Sequence, residues 1–316
     1  MASIAEPWMW AAFLIFVLLM LVLDLFVLGG HKSHKVSIKE AATWTLIWIS
    51  LALCFNALLW WYLKQTVGLD IANQKAIEFL TGYIIEKSLS VDNIFVFLMI
   101  FAAFKVPAEF QRRVLLYGVL GAVILRAIMI LAGAWLVQEF HWILYVFGGF
   151  LLISGLRMMV AAEHTPDLES NMVLRFARQH LRITKDYHDN KFMINSNGVY
   201  YFTPLFLVLL MIEFSDVIFA VDSIPAIFAI TLDPFIVFTS NIFAILGLRA
   251  LYFLLLDIAD RFHLLKYGLA LVLTFIGAKM LVAHWLKIST MTSLFVISVI
   301  LLISIVASLI VKPKQD

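Results

Sequence analysis

Nine apolar segments, each long enough to cross a lipid bilayer, constrain the fold of this 316-residue chain more than any other feature. A bilayer core of about 30 Å needs roughly 20 apolar residues in a helix. The chain is 63% hydrophobic and 14% charged, whereas a soluble domain is about half apolar and a quarter charged. We therefore expect an all-α polytopic membrane protein with a single transmembrane domain, 1–316. The segments are 8–28, 40–63, 77–104, 113–137, 142–161, 200–230, 235–256, 263–285 and 290–311.

The basic residues of the connections predict an orientation, because cytoplasmic loops of membrane proteins carry an excess of Lys and Arg. With the N-terminus outside, sixteen basic residues fall on the cytoplasmic side and three on the outer side. We therefore predict an N-out, C-in protein, and we expect the first apolar run to be retained as a helix. The cytoplasmic set is Lys32, Lys35, Lys39, Lys105, Arg112, Arg113, Arg157, Arg175, Arg178, Arg182, Lys185, Lys191, Arg261, Lys266, Lys312 and Lys314, and the outer set is Lys64, Lys75 and Lys287.

A polar stretch over 162–199 interrupts the apolar pattern and is predicted to be a cytoplasmic loop. Its residues 168–182 are predicted to form a basic amphipathic helix on the anionic membrane surface, so membrane lipids are expected partners. The polar run 195–198 predicts a turn just before the sixth span. We interpret the stretch as a solvated connector between two helical bundles.

An internal repeat relates the third to fifth spans to the sixth to eighth. Three short matches keep their order at offsets of 130, 123 and 122 residues. Each unit has three spans, so the second unit enters the membrane from the opposite side. We predict inverted repeats over 77–161 and 200–285, as in many secondary transporters. The matches pair Val91-Asp92-Asn93 with Val221-Asp222-Ser223, Arg126-Ala127 with Arg249-Ala250, and Tyr145, Gly155 and Met158 with Tyr267, Gly277 and Met280.

Five acidic residues lie inside two apolar segments, where each costs about 2.5–3.5 kcal/mol on insertion scales. Such residues face the protein interior or an aqueous cavity and are candidates for a functional site. In both segments an acid is followed after four residues by Val-Asp, so we interpret the segments as two halves of one site. The acids are Glu86, Asp92, Glu213, Asp216 and Asp222.

Oxygen donors accompany these acids at Asn93, Ser90 and Ser223. Pro225 lacks a backbone N–H, and we expect it to break its helix and free carbonyl oxygens beside Asp222. A set of oxygen donors suits Mn²⁺, Mg²⁺ or Ca²⁺ and disfavours Zn²⁺. Protonation of the acids or a bound cation would offset the buried charge. Pairing with three basic residues that we expect to be counter-ions, Lys87, Arg126 and Arg249, would do the same.

Four stretches of the sequence resemble the TerC/Alx family of bacterial integral membrane proteins, and the resemblance extends from the first span to about residue 285. It implies a nine-helix inner-membrane protein that is related to LysE-type cation exporters and exports Mn²⁺, with a family name derived from tellurium resistance. It also implies that the metal site comprises Glu86, Asp92, Asn93, Glu213, Asp216, Asp222 and Ser223. The stretches are EKSLSVDNIFV at 86–96, RRVLLYGVLG at 112–121, FAVDSIPA at 219–226 and TSNIFAILGLRA at 239–250.

Residues and resemblance together favour a secondary transporter that exports Mn²⁺ through a carboxylate-lined site near the bilayer midplane. Proton coupling, a Ca²⁺ or other cation/H⁺ exchanger, and a membrane scaffold of a tellurite or stress resistance system with purely structural acids stay open. An enzyme is not expected, because the Tyr-Asp and Gly-x-Gly-Asp pattern of intramembrane aspartyl proteases is absent. We expect no prosthetic group and no nucleic-acid partner, and the oligomeric state is left open.

Overall fold

A bundle of long helices with one small β-hairpin makes up the described part of the chain. The computed structural model describes residues 3–27, 37–140, 142–160, 172–196, 198–256, 264–286 and 288–311. The strands are β1 (Met193–Ser196) and β2 (Val199–Phe202). The helices are α1 (Pro7–Val27), α2 (Ile38–Thr66), α3 (Leu69–Ala103), α4 (Ala108–Glu139), α5 (Ile143–Val160), α6 (Met172–His180), α7 (Pro204–Phe228), α8 (Pro234–Leu246), α9 (Leu248–Leu255), α10 (Leu265–Val282) and α11 (Thr290–Ile310).

Each predicted apolar segment coincides with one helix or with a pair of helices. Among the described residues, α2, α4, α5, α7, α10 and α11 are each long and apolar enough to cross a membrane, and α8 with α9 adds a seventh span if the pair is taken together. α3 is 35 residues long but carries six charged residues, and α1 qualifies only as a shorter apolar helix up to Leu23. The chain is therefore a helical multi-pass membrane protein, and the count of nine spans stays a prediction.

The two acid-bearing helices lie at the centre of the bundle. α3 packs against α2, α7, α8 and α11, while α7 packs against α3, α4 and α5. Fully buried apolar side chains fill these contacts, among them Phe79 and Ile94 of α3 and Val208 and Ala220 of α7. Because neighbouring helices surround α3 and α7, Glu86 and Asp216 are buried against protein.

α5 and α10 pack along each other with their backbones in close approach at glycines. A Cβ atom on Gly155 would lie 2.7 Å from the carbonyl oxygen of Ala270. A Cβ atom on Gly277 would lie 2.7 Å from the carbonyl oxygen of Gly148. Both distances are too short for a side chain, and small residues are what allow membrane helices to approach this closely.

The sixth predicted segment, 200–230, does not begin as a helix. Its first residues belong to β2, which pairs with β1 in an antiparallel hairpin, and α7 begins only at Pro204. Proline suits the first helical position because its fixed φ fits the helix and its missing N–H needs no partner there. Gly198, at φ +80°, lies in the predicted turn over 195–198. The all-α prediction missed these strands, because the apolar run 199–202 is continuous in sequence with the apolar helix.

The seventh predicted segment, 235–256, is not one straight helix. α8 and α9 meet at Gly247 with a bend of 40°. The ammonium of Lys87 donates to the carbonyl oxygen of Ala244 at 3.3 Å, close to the C-terminus of α8, where a helix dipole favours a positive charge. A Cβ atom on Gly247 would lie 2.6 Å from Lys87 Nζ, so glycine provides the space for this ammonium group.

The predicted loop over 162–199 is anchored to the ends of α3 and α4. The Tyr187 hydroxyl donates to the carbonyl oxygen of Phe104 at 2.8 Å, and burial raises the pKa of this phenol, which keeps it a donor. Arg113 Nη1 donates to Asn190 Oδ1 at 2.6 Å. Of the predicted amphipathic helix, α6 covers 172–180 and buries Leu174, and residues 168–171 lie outside the described residues.

Candidate functional site

A buried arginine on α4 joins two of the predicted acids. The guanidinium of Arg126 is 1% exposed. Its Nη2 donates to Asp216 Oδ1 at 2.9 Å and its Nε donates to Asp216 Oδ2 at 3.3 Å, so it holds this carboxylate at two points. Its Nη1 forms an ion pair with Glu86. Arg126 therefore ties α3, α4 and α7 together and supplies the positive charge that buried carboxylates require.

A cavity of about 50 Å³ lies beside this ion-pair cluster. Its volume is sufficient for a few water molecules or for a small ion with part of its hydration shell. Six polar residues from α3, α4 and α7 line the cavity: Glu86, Asp92, Asn93, Arg126, Asp222 and Ser223. The rest of the wall is apolar and includes Met158 of α5.

Asp92 and Asp222 are the two half-buried carboxylates of this cavity. Asp92 comes from α3 and Asp222 from α7, one from each acid-bearing motif. Ser154 Oγ of α5 donates to Asp222 Oδ1 at 2.9 Å, which orients this carboxylate. The structure thus brings the two Val-Asp elements of the sequence to one cavity, although they are 130 residues apart.

Three buried polar atoms near Arg126 have no hydrogen-bond partner within the described part of the chain. They are Glu86 Oε2, Asn93 Oδ1 and Asn241 Nδ2. An unpartnered buried polar atom costs about 1–3 kcal/mol, so each such atom calls for an explanation. Glu86 and Asn93 both line the cavity. Their free oxygen atoms are therefore suited to hold water or a cation there.

Glu213, Ser90 and Arg249 lie outside the lining of this cavity. The carboxylate of Glu213 lies against α4, where a Cβ atom on Gly121 would meet Glu213 Oε1 at 2.0 Å. The hydroxyl of Ser90 donates to the carbonyl oxygen of Glu86 within its own helix at 2.8 Å. Arg249 of α9 is 3% exposed. Lys87 is directed to the bend between α8 and α9, as described above.

The break that we expected at Pro225 is wrong. α7 continues through this residue to Phe228. Pro225 lies only three residues before the end of the helix, and its fixed φ is compatible with helical geometry. The missing N–H removes one hydrogen bond to the carbonyl oxygen of Val221 without ending the helix. The discontinuous helix of the bundle is instead the α8–α9 pair.

The acids do not converge into a preformed metal centre. Within the described ranges, no three carboxylate, imidazole or thiol side chains are grouped closely enough to hold a metal ion. Arg126 forms ion pairs with Glu86 and Asp216, so these two carboxylates are engaged by a cation of the protein itself. The single guanidinium offsets one of the two carboxylate charges in this cluster.

The sequence analysis missed two contributors to this site. Asn241 of α8 is fully buried and its Oδ1 accepts from Arg126 Nη1 at 3.4 Å. It lies in one of the stretches that resemble the TerC/Alx family. A polar amide inside an apolar segment could also have identified it as a candidate site residue. Ser154 carries no such signal, because serines are common in membrane helices and only the fold brings it to Asp222.

The sequence is similar to those of known membrane proteins. The model of the "Integral membrane protein TerC family" matches residues 71–316. The chain is 52% identical over 316 residues to the Alx proteins of Salmonella typhi and Escherichia coli K12, covering 100% of this chain and 98% of each relative. The name of these relatives proposes a membrane-bound redox modulator. An uncharacterised membrane protein of Myxococcus xanthus is 49% identical over 98% of this chain and 94% of its own length. No solved structure matches.

Proposed function

Because the chain belongs to the TerC family of integral membrane proteins, we propose that it is a secondary transporter of a divalent metal cation, with the cavity beside Arg126 as its binding site. Mn²⁺ is the proposed substrate, and Mg²⁺ and Ca²⁺ are the weaker candidates. The proposed direction is export across the bacterial inner membrane. The cation is cargo, and the protein is proposed not to be an enzyme.

One observation carries this proposal: two unpartnered oxygen atoms share a buried cavity with two further carboxylates. Glu86 Oε2 and Asn93 Oδ1 lack partners within the described residues, and Asp92 and Asp222 line the same space. Ser223 adds a hydroxyl. Carboxylate, amide and hydroxyl oxygens are the donors that Mn²⁺, Mg²⁺ and Ca²⁺ prefer. A partly hydrated divalent cation would satisfy all of these groups at once.

In this proposal Arg126 is a resident counter-ion. Without cargo, its guanidinium pairs with Glu86 and Asp216 and offsets one of their two negative charges. When a divalent cation enters beside Asp92 and Asp222, Glu86 turns from Arg126 to the cation, while the two-point contact with Asp216 retains the guanidinium. Return of Glu86 to Arg126 weakens the hold on the cation and favours its release. A proton taken up by Asp92 or Asp222 would act in the same direction, which is how we propose that transport is coupled to the proton gradient.

We propose the transporter architecture of nine spans in an N-out, C-in arrangement, with inverted repeats over 77–161 and 200–285. Reciprocal packing of α5 and α10 supports the repeat: Gly155 approaches Ala270, and Gly277 approaches Gly148. Each position on α10 is 122 residues after its counterpart on α5, as expected of a two-fold relation. Orientation rests on the basic residues of the sequence; of these, Lys32, Lys35, Arg261, Lys287, Lys312 and Lys314 lie outside the described residues.

Uptake of Mn²⁺ into inside-out membrane vesicles tests the proposal. Wild-type vesicles are expected to accumulate Mn²⁺, and Asp92→Asn and Asp222→Asn are expected to lose about tenfold or more of the rate, because each removes a charged ligand. Asp70→Asn, on the exposed first turn of α3, is the matched control and should retain the rate. Normal Mn²⁺ uptake by both folded cavity variants would exclude this cavity as the transport site.

A Ca²⁺ or other cation/H⁺ exchanger is the nearest alternative. Strong inhibition of Mn²⁺ uptake by added Ca²⁺ in the same vesicles would favour this alternative over a Mn²⁺ exporter. A scaffold in a tellurite or stress resistance system predicts that the cavity variants retain resistance. The redox role proposed in the name of the relatives cannot use an intramolecular disulfide, because Cys54 is the single cysteine of the sequence.

A further inference from the structure

We infer that a second, larger cavity is the outer end of the transport pathway. We also infer that a polar cluster around Glu78, Thr231 and Asp233, which we call the latch, holds the pathway closed; this inference rests on the proposed transport function. The cavity has a volume of about 960 Å³. Its wall is built from the first turns of α3 and α5, the ends of α7 and α10, and the α7–α8 connection. The N-out arrangement places every one of these helix ends on the outer side. We call this cavity the outer vestibule.

Three helices line both the small central cavity and the outer vestibule. On α3, Glu86 faces the first and Glu78 the second. Eight residues of helix separate them, which is about 12 Å along the axis. On α10, Leu273 and Met280 are separated by about 10 Å in the same way. α7 contributes to both cavities too. The two cavities therefore lie along one path between the same helices.

A tightly packed layer separates the two cavities. Ile85 of α3, Ala226 of α7 and Ile276 of α10 are fully buried there and belong to one apolar cluster. On the other side of α3, a Cβ atom on Gly82 would meet Ser240 Oγ of α8 at 2.9 Å. An apolar constriction of this kind excludes ions by excluding water. The described state is thus closed toward the outside, and α3 must part from its neighbours for a cation to leave.

Glu78 is the centre of the latch on the vestibule side of this layer. Its side chain is 5% exposed. Oε2 accepts from Thr231 Oγ1 at 2.6 Å and from Lys75 Nζ at 2.8 Å, and Oε1 accepts from Gln74 Nε2 at 2.8 Å. Thr231 belongs to the connection between α7 and α8. The bond from Thr231 therefore fastens α3 to the segment that joins α7 to α8.

Asp233 extends the latch to the N-terminal segment. Its carboxylate caps α8 by accepting from Phe235 N at 3.1 Å, and it also accepts from Ile4 N at 3.1 Å. Lys75 Nζ lies 3.6 Å from Asp233 Oδ2. The carboxylate oxygens of Glu78 and Asp233 already have partners, so these acids act as a fastening and not as a cation site. When the latch opens, the charged groups of Glu78, Asp233 and Lys75 become exposed to water. Their hydration offsets the lost contacts, so the latch can open and close reversibly.

Accessibility of a buried reporter thiol from the outer side tests the latch without any transport measurement. In a Cys54→Ala background, Ser240→Cys places a thiol at a fully buried position of the closed layer. Thr231→Val preserves the shape of the side chain and removes two bonds, the one donated to Glu78 and the one that Thr231 Oγ1 accepts from Asp233 N at 3.2 Å, whereas Glu78→Gln leaves the second bond in place. We expect Thr231→Val to raise the rate of labelling by a membrane-impermeant maleimide about tenfold or more, the effect of losing a hydrogen bond to a charged group. Glu78→Gln should act in the same direction.

Thr239→Val is the matched control, because Thr239 is equally buried but its hydroxyl donates only to carbonyl oxygens of its own helix, those of Phe235 and Ile236. Labelling should stay at the background level in this variant. Equal labelling in the Thr231→Val, Glu78→Gln and Thr239→Val proteins would overturn the latch, whether or not the protein transports Mn²⁺.

A cross-link tests whether the layer must open during transport. The Cβ atom built on Gly82 lies 3.4 Å from Ser240 Cβ, close to the separation of about 3.5–4.5 Å in a disulfide. The Gly82→Cys, Ser240→Cys double variant in the Cys54→Ala background should move Mn²⁺ when reduced and stop when oxidised. Undiminished Mn²⁺ transport by the oxidised protein would contradict the inference that this layer must open. Absence of Mn²⁺ movement in wild-type vesicles would instead overturn the proposed function.

Discussion

At the scale of single residues, Arg126 determines which acids of the small cavity and its surroundings are engaged in ion pairs. Five acids in membrane helices are a large energetic burden, and the structure offsets two of them with one guanidinium that contacts Glu86 and Asp216. Planar guanidinium can hold two carboxylates in a fixed geometry, which a lysine ammonium cannot. Asp92 and Asp222 are left facing the cavity. In the proposed function, these two acids together with the unpartnered Oε2 of Glu86 are the groups available to a cation.

Replacement of Arg126 by methionine should destabilise the protein by about 3–5 kcal/mol, because Glu86 and Asp216 would stay buried without a counter-ion. The measurements are the yield of folded protein in detergent and its thermal unfolding temperature. Adding Glu86→Gln and Asp216→Asn in the same chain removes the stranded charges and should restore the yield but not Mn²⁺ transport. A single Arg126→Met protein as stable as the wild type would contradict this account.

At the scale of helices, close backbone approach determines which elements can move. α5 and α10 meet at glycines that leave no space for a side chain, so we expect them to move as one unit. α3 meets α8 at Gly82 through the end of a serine side chain, which is easier to displace than backbone. The layer between the two cavities is therefore a more adaptable contact than the α5–α10 seam.

Two glycines of α5 provide a matched test of this packing. Gly155→Ala would place a Cβ atom 2.7 Å from the Ala270 carbonyl oxygen, and Gly149→Ala would meet nothing within 4 Å. We expect Gly155→Ala to lose about 1–3 kcal/mol of stability from overpacking, and Gly149→Ala to behave as the wild type. Thermal unfolding in detergent measures both. Equal unfolding temperatures for the two variants would contradict the tight α5–α10 seam.

At the scale of the whole molecule, the proposed pathway needs the central cavity to open to each side of the membrane in turn. The outer vestibule has its opening among helix ends that an N-out arrangement places outside, and the anchored loop with β1 and β2 lies at the other end of α3. Alternating access then requires the closed layer around Ile85 to open while the inner side closes.

Labelling of single cysteines tests this arrangement. In the Cys54→Ala background, Trp285→Cys, at a residue 81% exposed after α10, should react with an impermeant maleimide added to intact spheroplasts. Lys185→Cys, at an exposed position before β1, should react only after the cells are opened. Reaction of both cysteines from the same side would contradict the N-out, C-in arrangement.

The class of fold was predictable from the sequence because the bilayer imposes a simple rule: long apolar segments become helices. The positions of the segments followed from the same rule, and so did the burial of Glu86 and Asp216, whereas the buried acids Glu78 and Asp233 near the ends of the segments were not identified. Two elements did not follow. The β1–β2 hairpin was missed because its second strand is apolar and adjoins a helix. The effect of Pro225 was overestimated because a proline near the end of a helix removes one hydrogen bond without ending the helix.

The sequence by itself determined that this chain is a helical membrane protein, which residues carry costly charges inside it, and which family it resembles. Only the tertiary structure decided where those charges lie: Glu86 and Asp216 contact Arg126, Asp92 and Asp222 line the cavity together with Glu86, and Glu213 lies against Gly121. The reason is physical. Insertion into a membrane depends on local composition, whereas the pairing of buried charges depends on distances between helices that are far apart in sequence.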